Sequence, residues 1–466
     1  MKRKIALFAA AVMLVLSVLA CGISTPAPTA QPSPQPPVSS PTPVIVPSPD
    51  TSNELAVTDT YSFVDSSEAY YIVGNIRNGT DTALSGIELD IEVLDAAGNS
   101  IFTDDSGNLV SYQTTSPLLN TLAPGEESPF SYYFYLESGK TPDTYYVTIA
   151  ASSTTQIDRA NVAVENAQFI NDGNGTLYIC GELVNQSDQW AKIDALAGAA
   201  LDSEQLIVSA DWTMNFSALL APAGDASGLD RTPFALDITD PGDQPANWRV
   251  YVDAELTDAP TDYSLVVDSS YTYADEYGDF HIVGTITNNS QETLQSLVMA
   301  GLYDADGITL DADYTFVSVA ILPGDVIPWD ISSFSSVNSS DSEAARVDTF
   351  TYQVDMYSTY STSTEYVSLA STGDQNQKNG STVTYTGTVT NTSAKNLTSE
   401  TVIVYVNDSN GKLVATSDTT IYPAENATVI APNEAQTYEV TIYMDPNLPA
   451  DATYEFKTIV RGDVGE

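Results

Sequence analysis

A fourfold internal repeat constrains the fold of this chain more than any other feature. A short strand-like segment with glycine first and asparagine fifth occurs four times, beginning at Gly74, Gly181, Gly284 and Gly387. The intervals between these glycines are 107, 103 and 103 residues. Because about a hundred residues is a common size for one domain, the spacing predicts four copies of one module.

Each copy continues in the same order after its glycine. An apolar strand ends at an aspartate, a turn follows, and a proline corner comes later. The aspartates are Asp95, Asp202, Asp304 and Asp408, turn glycines follow three of them at Gly98, Gly307 and Gly411, and the corners lie at 123–125, 221–224, 322–324 and 431–433. Aspartate and glycine in this arrangement close hairpins. Duplication of one module explains the shared order.

The apolar residues alternate with a period of two, which is the period of a half-buried strand. In the first copy this places Ile72, Gly74 and Ile76 on one face, which we expect to be the core face. A glycine there lets a facing group approach closely. Segment 87–93 alternates as well, with its acids directed to solvent. The alanine-rich segment 194–204 would suit a helix, but its place in the repeat predicts a strand.

Tyrosine, threonine and valine are frequent, turns recur every ten or so residues, and no amphipathic helix is evident. These features predict an all-β protein of four tandem immunoglobulin-like antiparallel β-sandwiches. The predicted boundaries are 55–157, 158–259, 260–370 and 371–466. A signal peptide over 1–20 and a disordered linker over 21–54 precede them.

The chain begins with Lys2, Arg3 and Lys4, followed by an uncharged apolar run that ends at Ala20 and Cys21. This pattern is typical of a secretory signal. A cysteine directly after the small residue resembles the bacterial lipoprotein signal, and the resemblance implies that Cys21 becomes the lipidated N-terminus. Two alternatives stay open, namely cleavage elsewhere and an uncleaved membrane helix, although such a helix needs about 20 apolar residues.

Proline, serine and threonine dominate the segment after Cys21. Such a composition cannot bury a core and favours extended polyproline II conformations. We therefore expect a tether that holds the folded part away from the membrane. Recognition of its Pro-x-x-Pro spacings by a small domain is the weaker alternative outside the cytoplasm.

The chain is strongly acidic, with 62 acidic and 15 basic residues and a net charge of −47. This charge makes nucleic acid and anionic lipid headgroups poor partners. Only two cysteines occur, Cys21 and Cys180. If Cys21 carries lipid, no disulfide can form, so hydrophobic cores alone must stabilise the modules.

The strand ending in Leu302-Tyr303-Asp304, preceded by the Gly-x-Ile-x-Asn strand, resembles the FxLYD domain. Ala300 stands where that motif has phenylalanine, and the other three copies match the pattern more than the letters. This family consists of extracytoplasmic β-sandwiches often carried on lipoproteins. The resemblance implies a sandwich fold for residues 55–466 and transfers no catalytic residue.

Residues able to perform catalysis are scarce. His281 is the only histidine, so any catalytic triad that uses histidine would require it. Its strand position predicts an ordinary surface residue without a catalytic function. Cys180 occupies a position equivalent to Val73 and Val283, which predicts a packed small side chain. We expect no enzyme activity, no cofactor and no zinc site.

Two weaker patterns suggest binding. Asp304, Asp306, Asp311 and Asp313 crowd one hairpin, as Asp104 and Asp105 do elsewhere, and are candidate calcium ligands, with a solvated turn as the alternative. Tyr271, Tyr273 and Tyr277 could form an aromatic platform for a sugar or peptide, with half-buried packing as the alternative.

Taken together, the sequence predicts a non-enzymatic lipoprotein on the extracytoplasmic side of a bacterial cell envelope. Its modules would act as a scaffold, spacer or adhesion unit, with the membrane and a cell-envelope protein or glycan as partners. The alternatives are a glycan- or peptide-binding lipoprotein that uses its aromatic faces and an enzyme or enzyme subunit. An enzyme would require a carboxylate pair with perturbed ionisation in a cleft.

Overall fold

The computed structural model describes residues 42–43, 53–103, 108–137, 139–173, 175–242, 245–338, 341–424, 427–449 and 452–465. The predicted signal peptide, Cys21, Asp104, Asp105 and most of the linker lie outside this part of the chain. The described residues form mainly antiparallel β-sheets, which confirms the all-β prediction. The predicted domain boundaries stay predictions.

The first two sets of strands, modules 1 and 2, each contain two facing sheets. Module 1 comprises β1 (Thr42–Pro43), β2 (Leu55–Val64), β3 (Ala69–Asn78), β4 (Ala83–Leu94), β5 (Gln113–Thr115), β6 (Thr121–Leu122), β7 (Glu127–Tyr135) and β8 (Thr144–Thr155). Module 2 comprises β9 (Val162–Asn171), β10 (Thr176–Asn185), β11 (Trp190–Leu201), β12 (Ile207–Thr213), β13 (Leu219–Leu220), β14 (Arg231–Thr239) and β15 (Asn247–Thr257). One sheet has the order β2-β3-β7 in module 1 and β9-β10-β14 in module 2. The facing sheets contain β4 with β8 and β11 with β15.

Modules 3 and 4 repeat this arrangement. Module 3 comprises β16 (Leu265–Ala274), β17 (Phe280–Asn288), β18 (Leu294–Gln295), β19 (Leu297–Tyr303), β20 (Thr309–Phe316), β21 (Val326–Ile331), α1 (Ser335–Asn338), α2 (Asp341–Ala344), β22 (Thr349–Val354) and β23 (Tyr360–Ser361). Module 4 comprises β24 (Tyr366–Leu369), β25 (Ser371–Asn379), β26 (Thr382–Thr390), β27 (Leu397–Asn407), β28 (Leu413–Ile421), β29 (Ala435–Tyr443) and β30 (Glu455–Val464). The sheets are β16-β17-β21 facing β20-β19-β22, and β25-β26-β29 facing β24-β30-β27-β28. The alanine-rich segment lies in strand β11 as far as Leu201, as the repeat predicts, and residues 202–204 begin the aspartate turn.

The repeated glycine allows an aromatic ring from the neighbouring strand to lie over the backbone. In module 1, a Cβ atom added at Gly74 would come within 2.2 Å of the Asp59 carbonyl oxygen and 2.7 Å of the Phe130 ring. Ile72 and Ile76 flank this position and are fully buried. The predicted core face and the predicted close approach are therefore both confirmed.

The repeated aspartate closes its hairpin through its side chain. The Oδ1 atom of Asp304 accepts hydrogen bonds from the amides of Asp306 and Ile308, at 3.0 and 2.9 Å. The other three modules make the same turn, at Asp95, Asp202 and Asp408. Module 2 lacks the turn glycine, and Gln205 adopts its left-handed conformation with a φ of 69°.

The repeated asparagine ties the core strand to the loops. Asn288 is fully buried, and its Nδ2 donates to the carbonyl oxygens of Glu292 and Ile321, both at 2.8 Å. Asn78, Asn185 and Asn391 make equivalent pairs of bonds. The asparagine therefore provides buried hydrogen bonds, and its Oδ1 also closes a turn by accepting the Ser290 amide.

Consecutive modules pack in the same manner at all three junctions. Strand β12 of module 2 lies against the β2-β3-β7 sheet of module 1. Strand β20 contacts the corresponding sheet of module 2, and β28 contacts that of module 3. Each module thus uses the strand after its aspartate turn to cover the sheet of the module before it.

The described part of the chain contains two helices, α1 and α2, of one turn each. Among the described residues, neither has the length or the hydrophobicity that a membrane span requires.

Candidate functional site

Each junction contains a buried polar link, and the link between modules 3 and 4 is the simplest. The guanidinium of Arg461 in β30 is nearly buried and lies 2.6 Å from Oδ2 of Asp325. The same oxygen accepts the amide of Leu322, which closes the proline corner of module 3. Arg461 also donates to Oγ of Ser368 at 3.0 Å. A charge in module 4 is therefore paired with the corner of module 3.

The link between modules 1 and 2 uses two charges of module 2. Asp253 in β15 is fully buried and accepts hydrogen bonds from the amide and the hydroxyl of Thr121 in module 1, both at 2.8 Å. Arg159 pairs with Asp253 and also donates to Glu126, at 2.6 Å from Nη2 to Oε2. Glu126 is the corner acid of module 1, since it accepts the Ala123 amide.

The link between modules 2 and 3 joins a carboxylate of module 3 to an uncharged hydroxyl of module 2. Asp355 is buried and accepts a hydrogen bond from Oγ of Ser217 at 2.8 Å. Ser217 belongs to module 2, where its own amide donates to the Thr232 hydroxyl.

Asp253, Asp355 and Arg461 occupy equivalent positions, which we call the latch position. The residues before them, Val252, Val354 and Val460, pair with Leu196, Val298 and Val402. Those three partners lie at the same distance before the repeated aspartates. In module 1, the first module of the described residues, the equivalent residue is the exposed Ala150.

Apolar contacts accompany each latch. The core of module 1 continues into module 2 through small side chains such as Ala197 and Ala199. At the next junction Cys180 packs with Met299 and Ala312 of module 3. Cys180 is fully buried, as predicted, and burial raises the pKa of its thiol well above the ordinary value. At the last junction Leu413 contacts Tyr273 and Val283.

His281 is buried at the junction of modules 3 and 4, so the predicted surface role is wrong. Its Nδ1 lies 2.9 Å from Oδ2 of Asp330, and its ring stacks on Tyr273 with centroids 4.5 Å apart. Burial works to lower the pKa of His281, but the hydrogen bond and charge of Asp330 and the charge of Asp275 raise it overall. The residue is hidden because module 4 covers the sheet that carries it.

The three candidate ligand-binding tyrosines have different surroundings. Tyr273 is buried and its hydroxyl donates to the carbonyl oxygen of Tyr443 in module 4, at 2.7 Å. Tyr271 donates to Asp445 of module 4, and Lys412 lies over its ring. Tyr277 is 70% exposed. Tyr271 and Tyr273 therefore link two modules, which corrects the expectation of an open platform.

The candidate calcium ligands do not form one cluster. Asp304 closes its turn and pairs with Arg346 at 2.9 Å, and Asp306 lies in that turn. Asp311 and Asp313 are buried in β20, so they are not the solvated turn residues expected as the alternative. Among the described residues, no group of three or more histidine, cysteine, aspartate or glutamate side chains is arranged to hold a metal ion.

Burial affects the ionisation of the acids in β20. It raises the pKa of Asp311 to about 8, against two opposing backbone hydrogen bonds, and the charges of Asp237 and Asp313 add to the rise. Burial likewise raises the pKa of Asp313 to about 6. Two carboxyl groups at the junction of modules 2 and 3 are therefore easier to keep protonated than ordinary aspartates.

A cleft of about 880 Å³ opens beside this junction. Residues of both modules line it, including Glu182, Arg231 and Trp190 of module 2 and Tyr303, Tyr352 and Met356 of module 3. Glu182 is buried and accepts hydrogen bonds from Tyr303 at 3.1 Å, from Asn166 at 2.6 Å and from Arg231 at 3.3 Å. The cleft is mainly apolar, and its buried acid Glu182 has hydrogen-bond partners in both modules.

The latch residues and this cleft were missed by sequence reasoning. Arg159 and Arg461 are two of only 15 basic residues in the chain, and this scarcity could have marked them as residues with a specific role. Neither the identity of their partners nor the existence of the cleft follows from a local pattern, because the partners come from different modules.

No protein-family model matches the chain, and no curated protein matches it either. Among solved structures, it is similar to alpha-2-macroglobulin from Escherichia coli activated by porcine elastase, at 10% identity over 88% of this chain and 44% of that chain, with a TM-score of 0.12. The native conformation of the Escherichia coli protein matches at 11% identity over 88% of this chain and 32% of that chain, with a TM-score of 0.10. The chain spans less than half the length of these proteins, and the TM-scores support no conclusion about its structure or function.

Proposed function

We propose that this protein is a non-enzymatic scaffold of the bacterial cell envelope whose modules are held in fixed relation to one another. One observation carries the proposal: a latch residue at each junction reaches back to the preceding module. A tandem array made only for flexible reach would not require buried polar links, because each such group must be desolvated. Fixed modules suit a spacer or an adhesion unit.

Attachment to the membrane is part of the proposal. The sequence Ala20-Cys21 after an apolar run supports lipidation of Cys21, and the proline-rich segment supports a tether. The acidic composition disfavours nucleic acid and anionic lipid headgroups. We therefore propose a protein or glycan of the cell envelope as the partner, on the extracytoplasmic side.

The proposal of a non-enzymatic role rests on how the ionisable groups are used. His281 is buried between two aspartates and stacks on Tyr273. Glu182, the buried acid at the cleft, has its carboxylate bonded to Asn166, Arg231 and Tyr303. Groups already engaged in this way are poorly suited to bind and deprotonate a substrate.

Spin labels test the fixed arrangement. Glu165→Cys in β9 and Thr441→Cys in β29 place exposed labels in modules 2 and 4 of the full chain, in a Cys21→Ser background. We expect one narrow distance distribution, because two latched junctions separate the labels. Arg461→Met should broaden it. A broad distribution in the otherwise unaltered chain would contradict the scaffold.

Metabolic labelling tests the anchor independently. We expect palmitate to label the chain in bacteria and Cys21→Ser to abolish both the label and membrane retention. Unchanged labelling in that variant would remove the lipoprotein part of the proposal and leave the fixed array to be judged by the spin labels.

The alternative of a glycan binder is less favoured. Tyr273 is buried, and Tyr271 is engaged with Asp445 and Lys412 of module 4. Only Tyr277 of the three candidates is largely exposed. Binding on a glycan array that Tyr277→Ala abolishes would favour this alternative over a pure spacer.

A further inference from the structure

The last strand of a module has an outer edge, and an added segment covers part of this edge in three of the four modules. In module 1, β1 pairs in parallel with Thr144 and Tyr145 of β8. In module 2, the Ala160 amide donates to the Ala254 carbonyl oxygen at 3.1 Å and the Leu256 amide to that of Asp158 at 2.7 Å. In module 4, β24 pairs antiparallel with β30. Covering removes an exposed row of backbone donors and acceptors.

Module 3 differs at this edge. Within the described part of the chain, β22 is hydrogen-bonded to β19 and to no other strand, although β16 also comes close to it. The cleft of about 880 Å³ lies along the strand, since Thr351, Tyr352, Gln353 and Val354 all line it. Its other lining residues include Val266 of β16 and Trp190 of module 2. The space at the open edge therefore corresponds to the place where the other modules hold an extra segment.

In module 3 the segment equivalent to the covering residues of module 2 lines the cleft. Asp158 and Ala160 lie 23 and 21 residues before the repeated glycine, and Thr261 and Tyr263 lie at the same distances in module 3. Both of these residues line the cleft, and within the described part of the chain no backbone hydrogen bond joins them to β22.

The backbone at the open edge is suitably oriented for pairing. The Asp355 amide donates to the Leu297 carbonyl oxygen, so Asp355 faces β19. In an antiparallel ladder, alternate residues direct both backbone polar groups to the same side. Tyr352 and Val354 therefore direct their amide and carbonyl groups away from β19 and towards the cleft. In module 4 the equivalent of Val354 is Val460, which pairs with Leu369 of the covering strand.

We propose that this cleft binds an extended peptide segment of a partner protein, which pairs with the outer edge of β22 as an added strand. Main-chain hydrogen bonds would supply most of the affinity, and side-chain contacts the selectivity. The edge has six residues, so at about 3.3 Å per residue the bound strand is about 20 Å long.

The lining defines the chemistry of the peptide. Trp190, Tyr352 and Met356 offer apolar surface, which suits apolar side chains at alternate positions of the peptide. The net charge of −47 disfavours an acidic segment. The partner segment is therefore neutral or basic and alternates apolar with polar residues. This inference does not depend on lipidation or on the scaffold role.

Selection from a phage-displayed random peptide library on the full chain tests the proposal. We expect enrichment of alternating, non-acidic sequences. A synthetic peptide of the enriched sequence should slow amide exchange at Tyr352 and Val354 and change tryptophan fluorescence. Val266→Arg places a charge in the cleft at a 47% exposed position and should weaken binding by at least about tenfold.

Val326→Arg is the matched control, because Val326 lies in the same module, is 53% exposed and does not line the cleft. It should leave binding unchanged, and the melting temperatures of both variants should equal that of the unaltered chain. The proposal is overturned if no alternating sequence is enriched, if Val266→Arg binds as tightly as the control, or if a glycan or a segment of this chain protects the edge instead.

Discussion

The guanidinium of Arg461 in module 4 lies 2.6 Å from the carboxylate of Asp325 in module 3, although 136 residues separate them in the chain. Asp325 also closes the corner of its own module. A single ion pair therefore joins the internal structure of one module to the position of the next. This relationship, with its counterparts at Asp253 and Asp355, is the main evidence for a fixed array.

Replacing Arg461 should destabilise the chain. We expect Arg461→Met to lower the free energy of unfolding by about 3 kcal/mol, because the change leaves a partly buried carboxylate without its counter-ion. Thermal or urea unfolding measures the difference. The control is Lys457→Met in the same strand, whose pair with Glu455 is exposed, and no loss is expected there. Equal effects of the two changes would refute the latch.

Stability should depend on pH through Asp311. The pKa of Asp311 is raised to about 8 in the folded state. Between about pH 4 and pH 8 the folded chain therefore keeps this carboxyl group protonated, and unfolding releases its proton. The free energy of unfolding should therefore be highest at the acidic end of this range and fall as the pH rises. Urea titrations at several pH values measure the slope, which Asp311→Asn should reduce. An equal reduction by Asp306→Asn, in the neighbouring turn, would disprove the assignment.

The repeated asparagine should be essential for the stability of each module. Asn288→Ala removes two donated bonds and two accepted ones, and leaves the buried Ile321 carbonyl oxygen without this donor. We expect a loss of about 2–4 kcal/mol in the free energy of unfolding. Asn289→Ala changes an exposed neighbour and should have little effect. A similar loss in both variants would indicate that the side-chain bonds do not matter.

Module 2 offers a stabilising substitution. Gln205 has a left-handed backbone at the position where the other modules have glycine. Gln205→Gly should raise the free energy of unfolding by about 0.5–1 kcal/mol, since glycine adopts this conformation without a steric cost. Calorimetry would detect the rise in melting temperature. The reverse change, Gly98→Gln in module 1, should lower it, and a change of the same sign in both would contradict this explanation.

The junction role of Tyr273 can be separated from ligand binding. Tyr273→Phe removes the hydrogen bond to the Tyr443 carbonyl oxygen while it keeps the stacked ring. We expect a loss of about 1 kcal/mol in the free energy of unfolding. Tyr277→Phe, at an exposed site, is the control and should unfold as the unaltered chain does. If Tyr273→Phe has no effect, the hydroxyl does not contribute to the junction.

The sequence alone determined the features that depend on neighbouring residues. Period-two alternation identified the core face of β3 and the close approach at Gly74, and the repeated aspartates with their glycines identified the turns. Each of these features follows from local geometry that repeats in every copy. The strand over the alanine-rich segment was also predictable, because the repeat placed it between elements of known type. The order of strand, turn and corner could be compared across four copies.

Only the tertiary structure decided how the modules contact one another. His281 and Tyr273 alternate in their strands like surface residues, yet module 4 buries both, since the outer face of one sheet becomes an interface in the array. The latch position holds aspartate twice and arginine once, so no periodic signal marks it. The open edge of β22 was likewise decided by the tertiary structure. Whether an edge is covered depends on a segment whose path no local pattern specifies.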